Sequence, residues 1–249
     1  MDDNICNNCN NPKKRGYQMR EIKLLTYPHG STKTNKSMKY GYANFIMYLA
    51  PHNISGYNVC AGATIGCIAS CLNESGRALW TEKNGIKNPI HEARLKRTQF
   101  FFNDRARFLD QLTKEIESGI RWAKKRDLIP VFRLNGTSDI RWENHGIIQK
   151  FNDIQFYDYT KLYNRRNLPA NYHLTFSRAE SNQEQTLSAV VNGLNIAAVF
   201  NNQLPNEYLG LNVIDGDKHD LRFLDPQRSC IGLIAKGRAK HDTSGFVIN

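Results

Sequence analysis

The stretch NVCAGATIGCIASCLNESGR, residues 58–77, sets Cys60, Cys67 and Cys71 within twelve positions in a C-x6-C-x3-C spacing. Thiolates this close along a chain are suited to holding a metal centre. A tetrahedral zinc site normally takes four ligands, so the three would need His52, Cys6 or Cys9 to complete it. A 4Fe–4S cluster held by the same three thiolates would keep one iron open for a cofactor or substrate. Three small buried hydrophobes are the plain alternative. Gly62, Gly66 and Ser70 speak against that alternative, because they make the segment a loop rather than a packed element. Glycines at 62 and 66 would also let the loop wrap a cluster and offer it backbone N–H groups.

A second constellation is carboxylate. The run DGDKHD, residues 215–220, together with Asp225 gathers four acids in eleven positions. Paired carboxylates bind divalent cations in two-metal nucleases, which makes Asp215, Asp217 and Asp220 the centre of a nuclease reading. They would equally bind a cationic group or Arg222, or simply build an Asp- and Gly-rich turn. The seven histidines form no H-x-E or H-E-x-x-H arrangement, so neither a zinc hydrolase nor a deaminase is expected. No Gly-rich loop ends in Gly-Lys-Ser/Thr, which excludes a P-loop NTPase.

These residues need elements to position them. FIMYLAP (45–51) reads as a buried strand closed by proline, and the cysteine segment follows within nine residues. Residues 91–127 repeat Phe108, Leu112, Ile116, Ile120 and Ala123 at helical spacing, with Asn103-Asp104 placed to split the helix and cap its second half. Strand-like runs then recur at 129–137, 154–160, 171–177, 195–200, 211–217 and 230–237, with helical stretches at 139–151 and 182–193 between them. That alternation predicts βα units and a largely parallel sheet. The stretch 24–44 reads as a polar loop. Charges follow directly on the apolar runs in FYDYTK and VIDGDKHD, and the carboxyl ends of parallel strands form the active face of such folds. Asp158, Lys161, Asp215 and Asp217 are therefore the candidate catalytic residues. The expected fold is a single α/β domain over 22–249, a partial or complete parallel (β/α) barrel, preceded by a flexible arm at 1–21.

Composition bounds the setting. The chain has 249 residues, 40% of them hydrophobic, enough for a sizeable core. Thirty-four Lys and Arg against 23 Asp and Glu leave a formal charge of +11, which a nucleic acid or nucleotide partner would explain. The aromatic runs QFFFND (99–104) and FYDYTKLY (156–163) would serve core packing or base stacking. No apolar run is long enough for a membrane helix, and the first twenty residues lack the apolar centre of a secretory signal, so no membrane partner and a cytoplasmic location are expected. Six cysteines in a reduced chain point to metal or catalysis before a disulfide framework.

The runs LLTYPHGSTKTNKSMKYGY, CAGATIGCIASCLNESGR, RLNGTSDIRWE, FYDYTK, NYHLTFS, DGDKHDLRFLD and GLIAKGRAKHDTSGFV together resemble the phage gene-product-88 family over about 22–249, a family without an assigned activity. The cysteine loop is also similar to a second phage family, the gp-thirty-seven-like proteins, whose C-x6-C-x2-C run is radical-S-adenosylmethionine-like; here the last interval is one residue longer. That likeness implies a radical-SAM-like barrel, with a 4Fe–4S cluster on Cys60, Cys67 and Cys71 and S-adenosylmethionine as cofactor, zinc being the alternative metal. It implies that Asn135, Ser138, Asp139 and Ser177 hold the cofactor's ribose and methionine groups, with Arg77 near the substrate face. Ser138 or Asp139 would serve equally as the N-cap of the helix that follows. The function implied is an iron–sulfur enzyme modifying nucleic acid or nucleotides. A non-enzymatic, metal-stapled protein that binds nucleic acid or a host protein is the alternative beside the nuclease.

Overall fold

The computed structural model of the chain describes residues 22–30, 32–74 and 88–249. Strand β1 (Leu25–Thr26) leads into helix α1 (Thr32–Met38) and strand β2 (Tyr42–Met47). The cysteine loop follows and contains the short helix α2 (Ile65–Ala69). Two long helices come next, α3 (Pro89–Asn103) and α4 (Arg105–Lys124). Asn88 caps α3 by accepting from the Ile90 amide, and Pro89 occupies its first turn, where a missing N–H costs nothing. Asp104 separates the two helices and caps α4 by accepting from the Arg107 amide at 3.2 Å, as the Asn-Asp pair predicts.

The rest of the chain is β3 (Ile129–Arg133), α5 (Ile147–Lys150), β4 (Gln155–Thr160), β5 (Tyr172–Ser177), α6 (Gln183–Val191), β6 (Ile196–Phe200), β7 (Glu207–Tyr208), β8 (Leu211–Asp215), β9 (Ser229–Ile234) and β10 (Val247–Ile248). All ten strands form one sheet in the order β1-β2-β3-β4-β5-β6-β9-β8-β7, with β10 against β6. Every neighbouring pair from β2 to β8 is parallel, so these strands end at one edge. Parallel strands covered on both sides should be buried along most of their length, and β2, β4 and β9 are, with the polar Asn44 and Asp158 interrupting the apolar runs of β2 and β4.

The sheet is open. Its outer strands, β1 and β7, each pair antiparallel with the neighbour within (β2 and β8) and occupy the backbone groups that barrel closure would need. A complete barrel is thus corrected to an open, mostly parallel mixed α/β sheet. One further expectation changes. The polar stretch 24–44 holds α1, because Thr34 returns its hydroxyl to the Pro28 carbonyl (2.8 Å) and Ser37 meets Asn44 of β2.

The two faces of the sheet differ. Phe45, Phe132 and Phe156 face α4, where Phe108, Leu112, Ile116 and Ala123 pack on them. The other face is partly polar. There one Arg133 Nη donates to both Asp220 carboxylate oxygens, at 2.9 and 3.1 Å, and Asp220 also accepts from Tyr157. Asp220 is 1% exposed. Removing one partner of a buried pair leaves the other charge uncompensated. Asp220→Ala should therefore cost about 3–5 kcal/mol in denaturant unfolding. Asp217→Ala removes a largely exposed pair with Lys236 and should change stability by less than about 1 kcal/mol.

Candidate functional site

The cysteine loop leaves the carboxyl end of β2 and lies across the ends of β4 and β5. At its start His52 adopts a left-handed backbone (φ 53°) that turns its N–H onto the Cys60 sulfur at 3.3 Å. A non-glycine residue held there costs about 1–2 kcal/mol, which the surrounding loop must offset. The Cys60 thiol donates in turn to the Thr137 carbonyl (3.7 Å), beyond β3. The Asn73 amide points at the Cys71 sulfur (3.5 Å). His91 and Arg94 of α3 hold Asn73 from the far side.

Helix α2, which carries Cys67, is fixed by a residue the sequence did not single out. Glu180, just past β5, accepts from the Gly66 amide with one oxygen and from the Thr64 hydroxyl with the other, both at 2.7 Å. The glycines do something other than wrap a cluster. A side chain at Gly62 would sit 2.8 Å from Lys161 Cβ, and one at Gly66 would strike Ser244, Phe246 and Glu180. They let the loop press onto the strand ends. The signal for Glu180 was faint, since it is one acid in a polar turn.

The three thiols share one electrostatic site. Burial pushes the Cys60 thiol up to about 12; the His52 N–H opposes this, while Cys71, Cys67 and Asp139 push the same way. Burial raises Cys71 too, with Cys67 adding to it, and the Asn73 N–H, Arg94 and Lys161 pulling back. All four described cysteines are free. Among the described residues no three of His, Cys, Asp and Glu are grouped so as to hold a metal ion. Zinc completed by Cys6 or Cys9, and the placement of Arg77, lie outside the described residues.

Lys161 and Asp139 complete the surroundings. The Asp139 carboxylate accepts from the Lys161 amide at 2.8 Å and pairs with Arg165 at 3.7 Å, and its own amide donates to Val59 in the cysteine loop. Burial raises its pKa against these partners. Lys161 extends its ammonium to the Ser177 hydroxyl at 3.0 Å. Cys60, Cys67, Cys71, Asp139, Lys161 and Ser177 are thus brought together.

Other candidates take different places. Asn135 is 2% exposed, and its side chain is used internally. Its oxygen accepts from Ser138, Ile140 and Trp142, and its nitrogen donates to Ile140 and Asp158. It shapes the 135–142 turn instead of presenting its amide to a cofactor. Ser138 belongs to that same bond, and the 3-10 turn Trp142–His145 has no side-chain cap. Asp158 is fully buried beneath Asn135 and accepts from its amide and from Tyr172, so it is not placed to touch a substrate. The acidic run divides: Asp215 is exposed, Asp217 pairs with Lys236, and Asp220 is consumed by Arg133. These carboxylates make no common cation site, which removes the geometric basis of the nuclease reading.

A family model described as Gene product 88 matches residues 20–249. The chain belongs to the Gene product 88 family. Its members are phage proteins, and the match spans every described element, the three thiols included. No curated protein and no solved structure matches the chain. No described helix is long and apolar enough to cross a membrane.

Two outcomes follow for this Gene product 88 protein. With its thiol raised to about 12, Cys60 in metal-free protein should resist iodoacetamide at pH 8 far better than it does in urea, as read by peptide mass spectrometry. Asp158 is raised by burial from 3.8 to about 7. A carboxyl raised in the fold favours the native state below its unfolded pKa, and that contribution is lost as pH climbs from about 4 to about 7. Asp158→Asn should flatten the fall in Tm across that window. Asp225, raised to about 6 by burial, keeps part of the slope.

Proposed function

We propose that this phage protein is an iron–sulfur enzyme of radical S-adenosylmethionine type, with Cys60, Cys67 and Cys71 as cluster ligands and nucleic acid or a nucleotide as substrate. The observation that carries the reading is the gathering of three free thiols in one loop at the carboxyl edge of the parallel strands, with backbone N–H groups aimed at two of the sulfurs. Sulfur donors with N–H partners are the environment iron–sulfur ligands need. A 4Fe–4S cluster on three thiolates would supply an open iron for the amino and carboxylate groups of S-adenosylmethionine and the electron that cleaves its sulfonium.

The chain's own residues would do the following. Cys60 and Cys71 would lose their raised protons on ligation, and Arg94 and Lys161 favour the charged form of Cys71. Glu180 would hold α2 so that Cys67 keeps its place between them. Lys161 and Ser177, joined at 3.0 Å, would face the polar end of the cofactor. Asn135 would act one step back, by setting the turn that carries Ser138 and Asp139. The partner class rests on the formal charge of +11.

Anaerobic reconstitution with iron and sulfide tests the proposal. The protein should take up the two in equal amounts, absorb near 400 nm as Fe–S proteins do (roughly, by their thiolate-to-iron transitions), and cleave S-adenosylmethionine when reduced. Cys60→Ala, Cys67→Ala and Cys71→Ala should each abolish absorbance and cleavage together. Cys230→Ala should keep both, because Cys230 lies on β9, buried in the core beside Ile196 of β6. Zinc uptake that depends on Cys6 or Cys9, without iron, would instead make this a metal-stapled binding protein.

A further inference from the structure

Strand β6 ends at Phe200, and the chain beyond it borders a half-open surface cavity of about 450 Å³. Ligand pockets for small molecules commonly fall within roughly 300–1,000 Å³. One wall is the run Asn201-Asn202-Gln203, and the other is Glu207 and Tyr208 of β7. Asn201 fixes the first wall: its amide donates to the Ile248 carbonyl (2.9 Å), and its side chain donates to the Asn249 side-chain oxygen (3.0 Å). Tyr208 stands edge-on to the buried Phe200 ring, at 5.6 Å and 87°. The Asn202 and Gln203 carboxamides are exposed at the rim.

No Lys or Arg lines this cavity, although the chain carries +11. Whatever binds is therefore held by hydrogen bonds and ring contact, not by pairing with phosphate. A carboxamide offers a donor and an acceptor side by side, the pairing that meets a base edge bidentately, and a carboxylate accepts from an exocyclic amine. A tyrosine ring adds a surface on which any base can lie. We infer that this cavity binds a nucleobase bearing an exocyclic amine, with Asn202 and Gln203 on its edge, Glu207 on its amine and Tyr208 against its ring. No cysteine lines the cavity, so the inference stands apart from the thiol site. The base comes either as a free nucleoside or turned out of a single strand.

Calorimetric titration of the full chain with adenosine, guanosine, cytidine, thymidine and glucose tests this. At least one amine-bearing nucleoside should bind with a dissociation constant below about 1 mM, and thymidine should bind more weakly. Asn202→Ala and Tyr208→Ala should each weaken binding about tenfold, about the loss of one good contact. Gln203→Ala, at an exposed position, serves as the second variant should Tyr208→Ala fail to fold. Cys60→Ala should leave binding unchanged, which separates this site from the cluster. A single-stranded oligonucleotide binding tighter than its nucleoside marks delivery by a strand, and equal affinity marks the free nucleoside. Absence of nucleoside binding, glucose binding in its place, or affinity unmoved by the Asn202 and Gln203 variants would overturn the assignment.

Discussion

One buried carboxylate links the strand ends to the thiol site. Asp158 on β4 accepts from the backbone and side chain of Asn135 beyond β3 and from the Tyr172 hydroxyl on β5. Tyr172 also accepts from Arg165, and Arg165 pairs with Glu143 and Asp139. Asp139 then takes the Lys161 amide and lies near Cys60. The chain of contacts runs from a fully buried acid, through the first residue of β5, to a half-buried thiol. Such an acid is tolerated because each oxygen has donors and because burial lets it hold a proton near neutrality.

The thiol site itself is built from unlike forces. Burial favours neutral sulfur, whereas the N–H groups of His52 and Asn73, with Arg94 and Lys161, favour thiolate. A site balanced this way stays protonated and inert when empty, yet is equipped to stabilise anionic sulfur when a positive centre arrives. The cost of His52's backbone is consistent with a loop whose shape is set by where its N–H must point.

Much of the scaffold was legible because its signals are local. The apolar runs of β2, β4 and β9 and the Asn103-Asp104 break between α3 and α4 act within a few residues of where they are read. The gathering of the cysteines was legible for the same reason, since short loops keep neighbours close. The misreadings involve partners far apart in sequence. Asp220 looked like one acid of a cluster until Arg133, on another strand, claimed it. Asn135 looked like an open polar strand end until five side-chain hydrogen bonds to four residues closed on it. Helix α1 was invisible because polar Thr34 and Ser37, not an apolar stripe, tie it down. Closure failed for a reason no periodicity carries: two-residue strands at each edge reverse direction.

Strand β10 takes up the edge of β6 at Val199 and Phe200, just past the place where β5 ends at Ser177. The residues leading into it, Ser244 and Phe246, are those that Gly66 must accommodate. During synthesis the thiol loop therefore leaves the ribosome long before the segment that finally seats it. Until residues 244–248 emerge, α2 lacks one of its two supports, so the thiol loop reaches its final seat only once the last strand has left the ribosome.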